Sequence, residues 1–502
     1  MSGSLPVIRC LSWKSKTTHY NTGGGARANE LSCDLKRKIS YRLVPVVMIQ
    51  EYLSQHRDQF IEQLKCLMQF PSVSAQPAHR RDVLACADWL ARHFRSFGLD
   101  VKLYPTKGNP ILVARTPRIS RANAPHVLVY GHYDVQPPEP FDLWKTPPFD
   151  PIERDGKLFG RGASDNKGQF FAHVKAVEAW LKTRAPLPVN VTFLIEGEEE
   201  VGSASLIAFV KQHAKQLRAD YIVVSDTSMF SKDHPTITYA TRGMAAMSVR
   251  VDGPSRDLHS GVFGGSVANP VLALARLLAA CVDAKGRIAV PGFYDDVRPL
   301  QKWERAQFRR LPFDERAYAR FLGVPSLEGE QGYTALERRW ARPTFEINGI
   351  TGGYQGAGTK TIVPAWAEAK ITCRLVPDQN PEKIERLVSH YLRRICPSSV
   401  RLSLTSDGGY RAFHESPSGR GVRAAAIALK RAFGREPVFV REGGSLPILD
   451  IFQRHLGGEI ILVGLGLPDD NWHSPNEKMD LANFNRGMLM SAELLRELGS
   501  PK

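Results

Sequence analysis

No apolar run in the 502 residues approaches the roughly 18 to 20 consecutive residues that a membrane-spanning helix needs, so a bilayer is not an expected partner. Cysteine is sparse: seven residues, at 10, 33, 66, 86, 281, 373 and 396, odd in number and never in a CxxC pair. That pattern argues against a disulfide framework and a zinc ribbon, and it predicts a reducing, cytoplasmic compartment. Long blocks of one charge are missing too. The formal charge is +16, but residues 1–47 alone hold eight Lys or Arg against Glu30 and Asp34. Elsewhere the bases are interleaved with acids, as in Asp314-Glu315-Arg316 and Glu337-Arg338-Arg339. Interleaved charge describes solvated faces rather than a phosphate-binding stripe, so nucleic acid is not expected either. Internal repeats and low-complexity tracts are also lacking.

What remains is an ordinary globular composition, 43 % hydrophobic and 24 % charged, on a chain too long for one hydrophobic core. Residues 1–47 are predicted to be a basic extension, disordered or non-native. An organellar transit segment and a natural start at Met48 are the two readings of it. From Met48 to about 237, helical spacing (48–68, 80–98, 168–182) alternates with strand-like runs such as VKLYP and ILVART. That alternation predicts a mostly parallel sheet with helices on both faces. Between 238 and 413 the pattern changes: MAAMSVRVDG, FEINGI and EAKITCRLV read as strands, and Pro270 to Ala284 and PEKIERLVSHYLRRI as helices. This predicts a small α+β domain inserted into the first, with the charged stretch 297–341 as its elaboration. Over 414–502 the α/β pattern returns with helix RGVRAAAIALKRAF and strand EIILVGLG, completing the first domain.

Four of the strand-like runs end in side chains of metal-ligand type. HVLVY leads into His132 and Asp134, NVTFLIEG into Glu198-Glu199-Glu200, DYIVVS into Asp226, and EIILVGLG toward His473. In an open α/β sheet the carboxyl ends of neighbouring strands line one crevice, so these side chains can meet across hundreds of residues of sequence. Each has a plainer reading alone: a structural His, a solvated acidic loop, a turn-forming Asp165 between Gly162 and Gly168. Three adjacent acids after a buried strand nevertheless repel unless a cation or proton compensates. Two imidazoles with several carboxylates form the donor inventory of a pair of divalent ions.

The residues also resemble a family. His132-Tyr133-Asp134-Val135-Gln136-Pro137, Gly162-Ala163-Ser164-Asp165-Asn166-Lys167-Gly168, Glu196-Gly197-Glu198-Glu199-Glu200-Val201-Gly202-Ser203, Ser225-Asp226, Asp257-Leu258-His259-Ser260-Gly261, Cys373-Arg374-Leu375-Val376-Pro377, Arg441-Glu442-Gly443-Gly444-Ser445 and His473-Ser474-Pro475-Asn476-Glu477 stand in the order seen in the M20 metallopeptidases. The resemblance is strongest to their carnosinase-like dipeptidase branch and covers the chain from about Met48 to its end.

This resemblance implies a zinc-exopeptidase-like catalytic domain (48–237 and 414–502) and an inserted lid and dimerisation domain (238–413). It implies that His132 and Asp226 hold one ion and Glu200 and His473 the other, with Asp165 shared. Asp134 would orient His132, and Glu199 would be the general base, taking a proton from the attacking water and passing it to the leaving amine. The register among the three acids rests on Val201-Gly202-Ser203, which follows the metal-binding Glu in the family. His259 would reach the partner's site in a homodimer, and Arg374, Ser445 and Thr361 would contact substrate. For Arg374 a structural ion pair is an equal reading of the residue alone. The cofactor implied is a pair of divalent ions, zinc foremost, with manganese or cobalt accepted by the same ligands. The activity implied is hydrolysis of dipeptides or short peptides beside a free carboxylate. The alternatives are an N-acyl amino acid deacylase or carbamoylase using the same site and, more remotely, a non-catalytic binding protein, which would have lost ligands.

Overall fold

Val, Ile, Leu and Phe dominate the runs ahead of the predicted ligands, and β-branched and aromatic side chains suit strands buried on both faces. In the computed structural model, which describes residues 47–119 and 123–500, these runs become adjacent central strands. Apart from Val47 the expected N-terminal extension lies outside the described residues. Ile49–Lys502 forms one compact unit.

Its largest sheet has eight strands in the order β1-β2-β6-β3-β7-β16-β8-β15. These are β1 (Asp100–Tyr104), β2 (Ile111–Arg115), β3 (His126–His132), β6 (Asn190–Glu196), β7 (Tyr221–Val224), β8 (Thr236–Thr241), β15 (Val438–Glu442) and β16 (Glu459–Leu462). The four ligand-bearing strands β6, β3, β7 and β16 are consecutive neighbours and run parallel. Helices Arg57–Met68, Arg80–Ser96, Lys167–Lys182, Arg420–Phe433 and Leu481–Gly499 supply the core of one face. Ala204–Leu217 and Pro447–His455 cover the other. Lys167–Lys182 is buried almost throughout, which is why its sequence carries little amphipathic signal. In a separate three-stranded sheet, β5 (Lys157–Phe159) pairs with β4 (Ile152–Arg154) on one side and β17 (Lys478–Asp480) on the other.

The inserted segment forms an antiparallel sheet, β11-β13-β9-β14, from β9 (Gly243–Asp252), β11 (Thr344–Gly352), β13 (Trp366–Leu375) and β14 (Arg401–Tyr410). Alternate residues of β9 are buried, and that face packs with β13 against helices Pro270–Ala279 and Pro381–Ile395. Asn269 caps the first helix and Asn380 the second, each followed by a proline at the first turn. A small ribbon pairs β10 (Leu258–His259) with β12 (Ile362–Val363).

The stretch 297–341 departs from expectation. Rather than extending the inserted sheet, its helices Lys302–Arg310 and Ala335–Ala341 pack on β15, the edge of the large sheet, with Phe308, Leu311, Leu336 and Trp340 gathered around Val440. Charge fixes the position. Arg441 of β15 is buried, and its Nε meets Glu304 Oε1 at 3.0 Å, with Tyr239 donating its hydroxyl to the same oxygen at 2.7 Å. A buried guanidinium needs that partner. Glu304→Ala is therefore expected to destabilise the chain by about 3 to 5 kcal/mol, whereas replacing both Glu304 and Arg441 by Met costs much less, as urea unfolding of the two variants will measure.

Candidate metal centre

His132, Asp226 and the acidic turn Glu198-Glu199-Glu200 sit where parallel strands stop, whereas Asp165 and His473 come from the longer loops after β5 and β16. β3 ends in His132, wholly buried, whose Nδ1 is 3.1 Å from the Asp134 carbonyl and 3.3 Å from Asp134 Oδ1. Its Nε2 lies 3.3 Å from Asp165 Oδ1 and 3.8 Å from Asp226 Oδ1, and it is buried without a hydrogen-bond partner. Asp226 follows β7. Asp165 ends the tight loop that precedes helix Lys167–Lys182. Gly162 holds φ +83° in that loop, and at Gly168 a Cβ would stand 2.0 Å from the Ala163 carbonyl oxygen, so both positions require glycine. His473, itself at φ +59°, brings Nε2 to 2.9 Å from Asp165 Oδ2 and 3.3 Å from Glu200 Oε2.

Two donor groups result: His132, Asp165 and Asp226, and then Asp165, Glu200 and His473, each with its ligand atoms within 4.8 Å of one another. Asp165 belongs to both. Such sets of carboxylate and imidazole donors, with a buried imidazole nitrogen left unpaired and no Lys or Arg at ion-pairing distance among the described residues, fit a pair of divalent cations.

The three adjacent acids separate by what they touch. Glu198 turns away, accepting from Asn109 N–H at 2.8 Å and Ser205 N–H at 3.0 Å, and so ties a neighbouring loop to the first turn of helix Ala204–Leu217. Glu200 points to His473. Glu199 lies between them, close enough to His132, Asp226 and Asp165 to feel their charges. The Asp134 carboxylate steadies this turn, accepting from Glu199 N–H and Glu200 N–H at 3.2 Å each and from the Ser74 hydroxyl at 2.7 Å. It thus positions the acidic turn as well as the imidazole. Asn166 and Gln136 stand within the quoted motifs but drew no role from sequence. The Asn166 amide donates to Asp226 Oδ1 at 2.8 Å and accepts from His132 N–H at 3.3 Å, and Gln136 Nε2 donates to Glu200 Oε2 at 2.8 Å. A lone amide beside acids is the only signal that sequence offers for either.

The inserted segment holds the remaining predicted residues. Arg374 on β13 donates through Nη1 to Ser445 Oγ at 3.1 Å. The β10–β12 ribbon sets His259 opposite Ile362, next to Thr361, and both His259 and Thr361 are exposed. His259 accepts from Gly261 N–H at 3.0 Å and makes no hydrogen bond or ion pair with any of the six residues His132, Asp165, Glu199, Glu200, Asp226 and His473.

Residues 128–497 match the family model described as peptidase family M20/M25/M40. The chain belongs to the M20 peptidase family. It is 32 % identical to the Cys-Gly metallodipeptidase of Schizosaccharomyces pombe over 90 % of its own length and 98 % of that protein. It is 34 % identical to the Beta-Ala-His dipeptidase of Homo sapiens, covering 89 % and 92 % of the two chains. The crystal structure of human carnosine dipeptidase 1 superposes with a TM-score of 0.75 at 33 % identity, covering 90 % of this chain and 98 % of that one. This M20 chain is accordingly a metal-dependent peptidase, with a mostly parallel catalytic sheet and a lid.

Without ions, the acids of the M20 site crowd each other. Burial, with repulsion from Asp226, Asp165 and Asp134 and some relief from His132, pushes Glu199 up to about 8. Burial and Asp165 push Glu200 up to about 10. Burial also lifts the wholly buried Glu196 to about 8. Although burial would raise Asp165, the neighbouring His132 imidazole and the hydrogen bond with His473 hold it below the usual carboxylate range. A raised carboxyl pKa favours the folded state below its unfolded value, and that contribution is lost as pH climbs through the folded value. The metal-free protein should therefore lose thermal stability from about pH 4.5 to about 8, the window of Glu196 and Glu199, and should weaken again below about 3.8 as Asp165 protonates. Divalent cations replace those protons, so they should raise the melting temperature more at pH 8 than at pH 5. Scanning calorimetry with and without chelator measures both; equal cation effects at the two pH values would contradict the assignment.

Proposed function

We propose that the chain is a dizinc dipeptidase that hydrolyses dipeptides or short peptides beside a free carboxylate, and that it works as a homodimer. The observation carrying this reading is the sharing of Asp165 by two donor groups beside Glu199, whose carboxylate feels the charges of His132, Asp226 and Asp165. In this reading His132 and Asp226 hold one ion, Glu200 and His473 the other, and Asp165 both. When bound, the ions polarise the scissile carbonyl and acidify water.

The chain's own groups do the rest. Asp134 keeps the His132 imidazole and the acidic turn in place. Glu199 takes a proton from the attacking water and delivers it to the leaving amine. Arg374, held by Ser445, pairs in two-pronged fashion with the substrate carboxylate, a geometry that lysine cannot copy, and Thr361 adds a contact. Residues 238–413 act as the lid and dimerisation domain, with 48–237 and 414–502 as the catalytic domain. His259 serves the partner's oxyanion. Several features of the inserted segment support an intersubunit role. The one-turn helix Ser260–Phe263 after His259 exposes Val262 and Phe263, and edge strand β11 exposes Ile347 and Ile350, apolar surface that a second copy would cover. The names of the similar dipeptidases support the substrate class. No helix among the described residues is long and apolar enough to cross a membrane.

Metal-loaded protein should release amino acids from dipeptides, and chelator should abolish the reaction; faster cleavage of N-acyl amino acids would replace the dipeptidase reading with a deacylase. Elemental analysis at saturation should return two zinc ions per chain, with two manganese or cobalt ions as the result that changes the metal but not the mechanism. Glu199→Gln should retain its ions while turnover drops roughly 100-fold or more, whereas Glu200→Gln should lose ion affinity. Mixing inactive His259→Ala with inactive Glu199→Gln chains should restore about half the wild-type rate per mixed dimer, because one of its two sites then has both residues. No recovery after verified subunit exchange would place His259 outside the partner's site.

A further inference from the structure

The motif that ends in Glu477 carries a side chain to which the reaction assigns no task. Glu477 is wholly buried and immediately precedes β17, whose Lys478 pairs with Phe159 of β5. The paired strands therefore feed two loops from one point: Gly160 to Asn166, which carries Asp165, and the segment back from Glu477 to His473. Gly160 N–H donates to the Glu477 carbonyl at 2.9 Å, closing the joint.

From there the Glu477 carboxylate reaches into the glycine loop. Oε2 accepts from Arg161 Nη1 and Gly162 N–H at 2.9 Å each, and Oε1 from Ser164 N–H at 2.9 Å and Asp165 N–H at 3.0 Å. Three backbone N–H groups converging on one anion form a nest of the kind that elsewhere captures phosphate, here filled by the chain's own carboxylate. Two further ties run alongside: the Ser164 hydroxyl donates to Asp470 Oδ2 at 2.8 Å, and Trp472 Nε1 donates to the Ser164 hydroxyl at 3.0 Å. Every tie joins the loop of Asp165 to the loop of His473.

We infer that Glu477 is the positioning residue of the metal centre, fixing Asp165 against His473 so that both donor groups exist before an ion arrives. The inference rests on the metal reading above. Its chemistry is narrow. Four donors meet there, so only a side chain with two acceptor oxygens satisfies them; glutamine turns an NH2 group onto two donors, and aspartate is one methylene too short to span both pairs. The competing reading is that Glu477 merely neutralises the buried Arg161, 2.9 Å away.

Ion affinity separates the two. The full-length chain, stripped of metal, would be titrated with zinc against a chromophoric chelator, with the melting temperature in excess chelator read in parallel. Glu477→Gln is expected to weaken zinc binding by the folded protein roughly 10- to 100-fold, the usual cost of removing a group that orients ligands. A variant that melts earlier in chelator yet binds zinc as wild type does would overturn the inference and leave Glu477 as a counter-ion. Should Glu477→Gln not fold, Glu477→Asp, which keeps the charge, decides in the same way: weakened zinc binding supports the positioning role, and unchanged binding overturns it. A wild-type chain that takes up no ion would remove the metal reading itself, a result distinct from either.

Discussion

Like charge held at close quarters is the constraint on which this molecule is built. Asp134, Asp165, Glu196, Glu199, Glu200 and Asp226 all lie at or near the carboxyl ends of three adjacent parallel strands, each partly or wholly out of water. Carboxylates so placed lose hydration and repel one another, costs that only protons, cations or hydrogen-bond donors offset. The structure uses donors generously around the periphery. Asp134 receives two backbone N–H groups and a hydroxyl, Glu196 the hydroxyls of Tyr130 and Ser203, and Asp226 the amide of Asn166. At the centre, facing Asp165 and Asp226, the buried His132 Nε2 is left without a hydrogen-bond partner among the described residues. That discontinuity, more than the count of acids, marks the place for ions.

The sequence disclosed the strands that bear the site because their composition is extreme. Buried on both faces, β3, β6, β7 and β16 read as unbroken apolar runs, and a polar residue at the end of such a run stands out. The order β6-β3-β7-β16 was not legible, since pairing depends on contacts across as many as 238 residues between the registered partners Tyr221 and Glu459. Nor was the fate of residues 297–341. Its helices carry ordinary surface charge, and nothing local says that Glu304 answers a guanidinium 137 residues away.

Within the site the same division holds. Ligand-type side chains were visible one by one, and the acids 198–200 were visible as a group, but their separate duties depend on where a left-handed turn at Gly202 and Ser203 aims each carboxylate. In sequence only the resemblance, through Val201-Gly202-Ser203, sets Glu198 apart from its neighbours; its ties to Asn109 and Ser205 appear in the fold alone. Supporting residues were quieter still. Asn166 and Gln136 look like loop residues until their partners appear, because an amide has no periodicity to betray it. His259 stays the least constrained by its own chain: exposed on a two-residue strand, it is placed by a ribbon that nothing in the large sheet touches through a hydrogen bond.

The position of β16 bears on how the chain is made. It lies between β7 and β8, yet it is synthesised some 235 residues after β7 ends, once the whole inserted segment has emerged. At ordinary translation speeds of about 5 to 20 residues per second, Val223 and Val224 wait at an open strand edge for roughly 10 to 50 seconds. An edge of that kind is a template for pairing with other nascent chains. The inserted sheet, whose strands pair only among themselves, can fold during this interval and occupy the chain. When β16 arrives, it fills the gap between β7 and β8, and its continuation supplies His473, the last of the donors to be made.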